Sequence, residues 1–182
     1  MHTLKTAVFA NGCFWCTEAV FKMLKGVESV HPGYTGGTVE RPTYAQVSDG
    51  TTGHAEAIKI TYDPSIISYT DLLTVFFSTH DPTTLNRQGN DVGTQYRSAI
   101  FYGDDNEKAE ADRFIAELTA AEAYDRPVVT EVKPCDTFYP AEDYHRDYYA
   151  QHPNQAYCTL VIEPKLEKVH ERFAALLKSS HV

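Results

Sequence analysis

Short apolar runs with a strand's period take turns along this chain with stretches of helical period, and turn residues stand at most of the switches. One element cannot satisfy periods of 2 and 3.6 at once, so strands and helices must alternate. Thr6-Ala7-Val8-Phe9-Ala10 reads as a buried strand that stops at the turn pair Asn11-Gly12. From Phe14 to Leu24 the pattern is helical, with Cys16, Val20, Met23 and Leu24 on one side. Val27 to Tyr34 reads as a second strand, poorly suited to a sheet centre because of Pro32. Ile58, Ile60 and Tyr62 alternate with Lys59 and Thr61, a half-buried strand stopped by Asp63-Pro64. Ser68 with Asp71 marks a helix start, and Tyr69, Leu72, Leu73, Phe76 and Phe77 then follow one helical face.

Further on, Tyr96–Tyr102 is expected as a strand, and Asp104 with Glu107 caps a helix running to about Ala123. Val128 to Val132 and Tyr157 to Ile162 are two more expected strands. Pro164 suits the first turn of a last helix bearing Leu166, Val169, Phe173 and Leu177. No internal repeat, low-complexity tract or linker interrupts this, so residues 1–182 are expected to form one α+β domain. The order strand–helix–strand–strand–helix–strand suits a ferredoxin-like two-layer sandwich, the split βαβ core, with long functional loops. Two polar stretches, Gly36 to Gly53 and Asp81 to Thr94, have no clear period. Loops that long in a compact domain usually either carry function or are not loops throughout.

Composition narrows the function classes. With 42% hydrophobic residues among 182, the chain can bury a core without disulfide staples. Lys+Arg 16 against Asp+Glu 25 gives a net charge of −9, which argues against a sequence-independent grip on nucleic acid. No run of 18 apolar residues is present to span a membrane, and Met1 to Thr6 lacks the pattern of a secretory signal. A cytoplasmic location is therefore expected, where closely spaced cysteines point to metal or redox chemistry.

Gly12-Cys13-Phe14-Trp15-Cys16-Thr17-Glu18 is the segment that carries chemistry. Gly12 permits a sharp exit from the strand and would set Cys13 at the first helical turn. Unpaired N–H groups and the helix dipole favour a thiolate there. The dipole alone, about 0.3–1 kcal/mol, lowers a pKa by less than one unit, so other groups must help. Cys16 lies within reach of a disulfide with Cys13 if the turn allows it. A zinc site would need two more ligands from Cys135, Cys158 or the eight histidines, and none forms a second closely spaced pair. A thioredoxin-like disulfide exchanger using Cys13 and Cys16 is the alternative, although two bulky aromatics between the cysteines suit a small apolar group better than a protein backbone.

Gly12-Cys13-Phe14-Trp15 resembles the active-site signature of the methionine sulfoxide reductase A family, the peptide-methionine (S)-S-oxide reductases. Pro32 to Gly37, Thr52 to Ala57, Tyr62 to Pro64, His80 to Thr83, Gly89 to Ser98 and Ala141 to His145 resemble further family segments, in order over most of the chain. The resemblance implies that Cys13 attacks the sulfoxide sulfur and that Phe14 and Trp15 hold the substrate methyl group. It implies that Glu56 is the acid at the sulfoxide oxygen, that Tyr44 and Tyr96 bind the same oxygen, and that Asp91 lies near the pocket. Physics supports the role of Glu56: a carboxylate beside a thiolate would put two like charges in one pocket, so the pair should share one proton. His54 is expected as a scaffold hydrogen-bonder.

The resemblance further implies that Cys13 becomes a sulfenic acid, which a second thiol condenses to a disulfide. Many family members have glycine where Cys16 stands and a glycine-rich tail with recycling cysteines; residues 1–182 show cysteine at the first place, and no such tail is expected. Cys16 is expected to resolve, being near by spacing. Cys158 aligns with a recycling cysteine of some members and is the fallback, held back here because a strand would immobilise it. Cys135 matches no family role and is expected to be structural. The implied substrate is methionine (S)-sulfoxide, free or in oxidised proteins, with thioredoxin or another dithiol as electron donor. No metal or organic cofactor is implied, and neither a nucleic acid nor a membrane partner is expected.

Overall fold

The structure is a computed structural model and describes residues 3–179. A six-stranded sheet organises it. Strands β1 (Lys5–Asn11), β2 (Val27–Thr35), β3 (Ala55–Tyr62) and β6 (Ser98–Tyr102) form its centre in the order β6-β1-β3-β2, each antiparallel to its neighbours. Helix α1 (Phe14–Lys22) connects β1 to β2, and α3 (Tyr69–Ser78) lies between β3 and β6. The sheet is extended by β7 (Glu131–Pro134), parallel to β6, and by the two-residue β8 (Tyr139–Pro140) on β2. On the side of β2 away from β3 only that short strand pairs, which explains how Pro32 is tolerated: its carbonyl accepts from the Ala141 N–H while it has no N–H to pair.

Alternation along the strands sorts the two faces. Phe9, Ile58, Ile60 and Tyr62 join Val20 and Phe21 of α1, Leu24 just after it, and Leu72, Leu73 and Phe76 of α3 in the main core. Val8, Ala10, Ala55, Ala57, Ala99 and Phe101 form a smaller cluster on the opposite face, under Cys135 and Phe138. Helix α3 begins at a capping box in which Ser68 and Asp71 each bond the other's backbone N–H. Asp104 caps α4 (Asp105–Ala120) by accepting from the Glu107 N–H.

Both polar stretches hold structure. Within the first, Thr43 and Gln46 make a second capping box at the start of α2 (Tyr44–Ser48). Within the second, β4 (Arg87–Gln88) and β5 (Asp91–Val92) form a small hairpin, followed by a 3₁₀ turn over Thr94–Tyr96.

Two expected strands are corrected. Of the expected Val128 to Val132, the first three residues lie outside the sheet and β7 begins at Glu131, because pairing follows the parallel register Ala99↔Glu131 to Tyr102↔Pro134. Cys158–Ile162 is a π-helical turn rather than a strand, and it runs directly into α6 (Glu163–Arg172). The buried residues Cys158, Ile162 and Val169, with half-buried Leu166, recur at helical spacing, and this periodicity overrides the β-branched composition of the run. The chain after β8 also contains α5 (Tyr148–Gln151). Near its end, backbone bonds from Lys25 N–H to Leu176 O and from Lys178 N–H to Met23 O pin it beside α1. Among the described residues, no helix is long and apolar enough to cross a membrane.

Candidate active site

At Gly12 the chain leaves β1 with φ +106°, and a Cβ there would lie 2.8 Å from the Gln88 side chain. Only glycine combines that backbone with that approach. The turn makes Cys13 the N-cap of α1, with its carbonyl accepting from the Cys16 and Thr17 N–H groups. Thr17 Oγ1 donates to Asn11 Oδ1 at 2.5 Å and so ties the first helical turn back to the strand end.

The Cys13 side chain makes no N-cap hydrogen bond of the usual kind, and Glu56 takes over that task. Its Oε1 accepts from the Phe14 N–H at 3.2 Å, while Oε2 is buried without a partner. The reach across 42 residues follows from strand parity, since Glu56 shares its face of β3 with the core residues Ile58, Ile60 and Tyr62. Glu56 is 2% exposed, and burial pushes its carboxyl up to about 8, so it is protonated at neutral pH. A protonated Oε2 is a hydrogen-bond donor waiting for an acceptor.

The two cysteines divide one proton between them. Burial holds Cys13 well above the ordinary thiol value, and its hydrogen bond to Cys16 and the nearby Glu56 add to this; the Trp15 N–H bond opposes it. Cys16 is drawn down to about 7, chiefly by the hydrogen bond from Cys13 and then by the Lys165 charge, against the cost of burial. Of the pair, Cys13 is thus the thiol that keeps its proton and Cys16 the one that ionises more readily. Of the two sulfurs, Cys13 lines a cavity of about 460 Å³, together with Gln88, Asp91, Tyr157 and Lys165.

Phe14 is fully buried and Trp15 half-buried in an aromatic group with Tyr44 and His145. Tyr44 and Tyr96 lie near Cys13 and Glu56: both phenols are raised first by burial and next by Glu56, with Cys13 contributing. Tyr44 reaches about 12. Asp91, the first residue of β5, accepts from the Tyr157 hydroxyl at 2.9 Å. His54 bonds the Gly37 N–H and the Val39 carbonyl, and so staples the first polar stretch. Cys158 is fully buried in one cluster with Cys13 and Cys16, and Cys135 lies apart on the other face of the sheet. All four cysteines are free thiols. Among the described residues, no group of three or more His, Cys, Asp and Glu side chains is placed to hold a metal ion.

The sequence reading missed three contributors. His145 Nδ1 accepts the Trp15 indole N–H at 3.0 Å, and Glu142 accepts from the Tyr34 hydroxyl and the Tyr44 N–H. Both stand in the family-like segment Ala141 to His145. Tyr148 stacks flat on Trp15 at 3.7 Å, and nothing in its local sequence signals that contact.

A thiol at a helix N-terminus, a second thiol sharing its proton and a protonated carboxylic acid beside them define a thiol-dependent reductase. The profile of the family described as "Peptide methionine sulfoxide reductase" matches residues 5–177. The "Peptide methionine sulfoxide reductase MsrA" of Chromobacterium violaceum is 54% identical over 176 residues, spanning 97% of this chain and 100% of that protein. The protein of the same name from Deinococcus radiodurans is 53% identical over 172 residues, 94% of this chain and 84% of its own. Among solved structures, reduced Mxr1 from Saccharomyces cerevisiae superposes with a TM-score of 0.77 at 32% identity, over 85% of this chain and 89% of that one. The chain belongs to the peptide methionine sulfoxide reductase family.

Proposed function

We propose that this protein reduces methionine (S)-sulfoxide, free or within oxidised proteins, and that the residues around Cys13 divide the work as follows. Phe14 and Trp15 hold the methyl group. Glu56 donates its proton to the sulfoxide oxygen, with Tyr44 and Tyr96 bonding the same oxygen, while Cys13 attacks the sulfur. The Cys13 proton passes to Cys16, so no second charge builds up in the pocket. Methionine leaves, and Cys13 remains as a sulfenic acid. Cys16 then forms the disulfide, with Cys158 as the alternative partner. The π-helical turn removes the objection that a strand would immobilise Cys158, but Cys16 shares a hydrogen bond with Cys13 and keeps the role.

The observation that carries this reading is the buried, protonated Glu56 with one unpartnered oxygen. Plain disulfide exchange has no leaving oxygen and no use for such an acid. Yeast Mxr1 has been crystallised in complex with Trx2. We extend that class of donor to this chain, with a thioredoxin or another dithiol reducing the disulfide; thiol exchange of this kind needs no metal or organic cofactor. The strand order β6-β1-β3-β2 supports the ferredoxin-like description of the core, and segments from β1 to α6 meet at one site, as in a single catalytic domain. The reading also places the protein in the reducing cytoplasm, where these thiols would be maintained.

An assay of both sulfoxide epimers with thioredoxin tests the proposal. The (S) epimer should be consumed and the (R) epimer spared, and Cys13→Ser should lose all turnover. Residual activity in that variant would remove Cys13 as the nucleophile.

A further inference from the structure

Cys16 has a problem that the first step creates. It is 2% exposed, so once it has taken the Cys13 proton no bulk water lies against it to remove that proton before it attacks. One polar contact is available. The Tyr157 hydroxyl lies 3.6 Å from Cys16 Sγ, and the same hydroxyl donates to Asp91 Oδ2 at 2.9 Å. With its only proton committed to Asp91, the Tyr157 oxygen is left as an acceptor facing the sulfur. Asp91 in turn lines the cavity that exposes Cys13, where it can exchange protons with solvent.

We propose that Tyr157 and Asp91 form a proton relay that deprotonates Cys16 for its attack on the Cys13 sulfenic acid, which makes Tyr157 a further catalytic residue of the resolving step. This rests on Cys16 being the resolving thiol. In the step itself the Cys16 Sγ–Cys13 Sγ bond forms and the Cys13 S–O bond breaks. The proton of Cys16 moves to the Tyr157 oxygen as the Tyr157 proton moves to Asp91. Hydroxide leaves Cys13 and becomes water with the equivalent proton that Asp91 releases to the cavity. The sulfenic sulfur is reduced and the Cys16 sulfur oxidised, so no outside electron donor enters.

The surroundings fit a relay better than a charged tyrosine. Burial, the two sulfurs and Asp91 all raise the Tyr157 phenol, so it passes a proton without holding a negative charge. The groups facing Cys16 and Tyr157 are Cys13 on the α1 cap, Glu56 on β3, Asp91 on β5, Cys158 in the π-helical turn and Lys165 on α6. Before the reaction the Cys13 S–H supports ionisation of Cys16. Afterwards that S–H no longer exists, and the Tyr157 contact is the hydrogen bond to Cys16 that persists.

The test uses full-length protein, one equivalent of methionine (S)-sulfoxide and no reductant. Sulfenic acid is trapped with dimedone, and the disulfide is mapped by mass spectrometry. Tyr157→Phe keeps the ring against Trp15 and should lengthen the life of the sulfenic acid at least about tenfold at pH 7. The deficit should be rescued by alkali, the rate rising about tenfold per pH unit as Cys16 ionises unaided. Asp91→Asn should behave in the same way, and the double variant should be no slower than either single one. An unchanged sulfenic acid lifetime in Tyr157→Phe overturns the relay, as does a deficit that pH does not touch. A wild-type first disulfide mapped to Cys13–Cys158 would instead overturn the assignment of Cys16, and the relay with it.

Discussion

Two walls enclose Cys13, and they are built on different principles. One is the turn from β1 into α1 together with Glu56 on β3, held by sheet register, by the Phe14 N–H to Glu56 bond and by fully buried neighbours such as Phe9 and Ile58. The other is the segment from Asp147 to Lys178, which lies across the cysteines and is fastened at its ends. Asp147 pairs with Lys22 and gives its N–H to Glu18, and the Leu176 and Lys178 backbone bonds close the far end. Between these anchors Tyr148, Tyr157, Cys158 and Lys165 meet the site through side chains. A group that must stand at a fixed place when an oxygen is transferred belongs on the first wall. Groups that serve the disulfide, which an outside thiol must later reach, belong on the second.

Substitutions on the first wall should therefore cost most in the step that makes methionine. Glu56→Gln keeps the acceptor for the Phe14 N–H but has no acidic proton to give. The single-turnover rate of methionine formation should fall roughly a hundredfold or more. The same substitution should raise stability in alkali. The folded-state pKa of Glu56, about 8, stands above its unfolded value of 4.5, so the folded protein binds the proton more tightly. The contribution of Glu56 to stability must then fall as pH rises from about 4.5 to 8, by up to about 4 kcal/mol at pH 8. Chemical denaturation at pH 5.5 and pH 8 should show Glu56→Gln gaining on the wild type at the higher pH. A variant whose advantage does not grow with pH would mean that Glu56 is ionised in the folded protein, and the contrast between the walls would lose its main support.

His145 joins the walls, since it lies just before Asp147 and receives the Trp15 N–H. Burial lowers its pKa, which leaves the neutral imidazole free to accept. His145→Phe keeps an aromatic ring among Phe14, Tyr44 and Trp15 but removes that acceptor. Losing one hydrogen bond, about 0.5–1.5 kcal/mol, should raise KM for the sulfoxide some two- to tenfold with kcat nearly unchanged. A fall in kcat at constant KM would make His145 part of the chemistry instead of a support for Trp15.

The two walls also differ in how far they could be read from the sequence. The first was legible because short-range rules build it: Asn11-Gly12 ends a strand, a helical period follows, and Cys13 falls at the junction. Even the burial of Glu56 was available, for Glu56, Ile58, Ile60 and Tyr62 have one parity, although the expected strand began only at Ile58. Thr43 and Gln46 likewise spell a capping box inside a stretch taken as loop. The second wall was misread because its local composition and its longer period disagree. Thr159-Leu160-Val161-Ile162 favours a strand residue by residue, while the helical spacing emerges only when Cys158 is counted with Ile162, Leu166 and Val169 beyond Pro164. The contact of Tyr148 with Trp15 spans 133 residues of chain and has no local signal at all.

That contact offers the smallest and most selective probe of the comparison. Trp15 is the only tryptophan in the chain, so its fluorescence reports on this site alone. Tyr148 covers one face of the indole at a ring separation of 3.7 Å and an angle of 5°. Tyr148→Ala should uncover that face to water and shift Trp15 emission to longer wavelength. The lost stacking is worth about 0.5–1.5 kcal/mol, so the denaturation midpoint should move only slightly. Methionine formation in a single turnover should change by less than about threefold, because Cys13, Glu56 and the sheet that holds them are untouched. A collapse of that rate to the level of Glu56→Gln would show that the C-terminal wall positions the oxygen-transfer chemistry as strictly as the sheet does. A red shift with the rate preserved would assign the chemical step to the sheet-anchored wall and leave the C-terminal wall to the thiols.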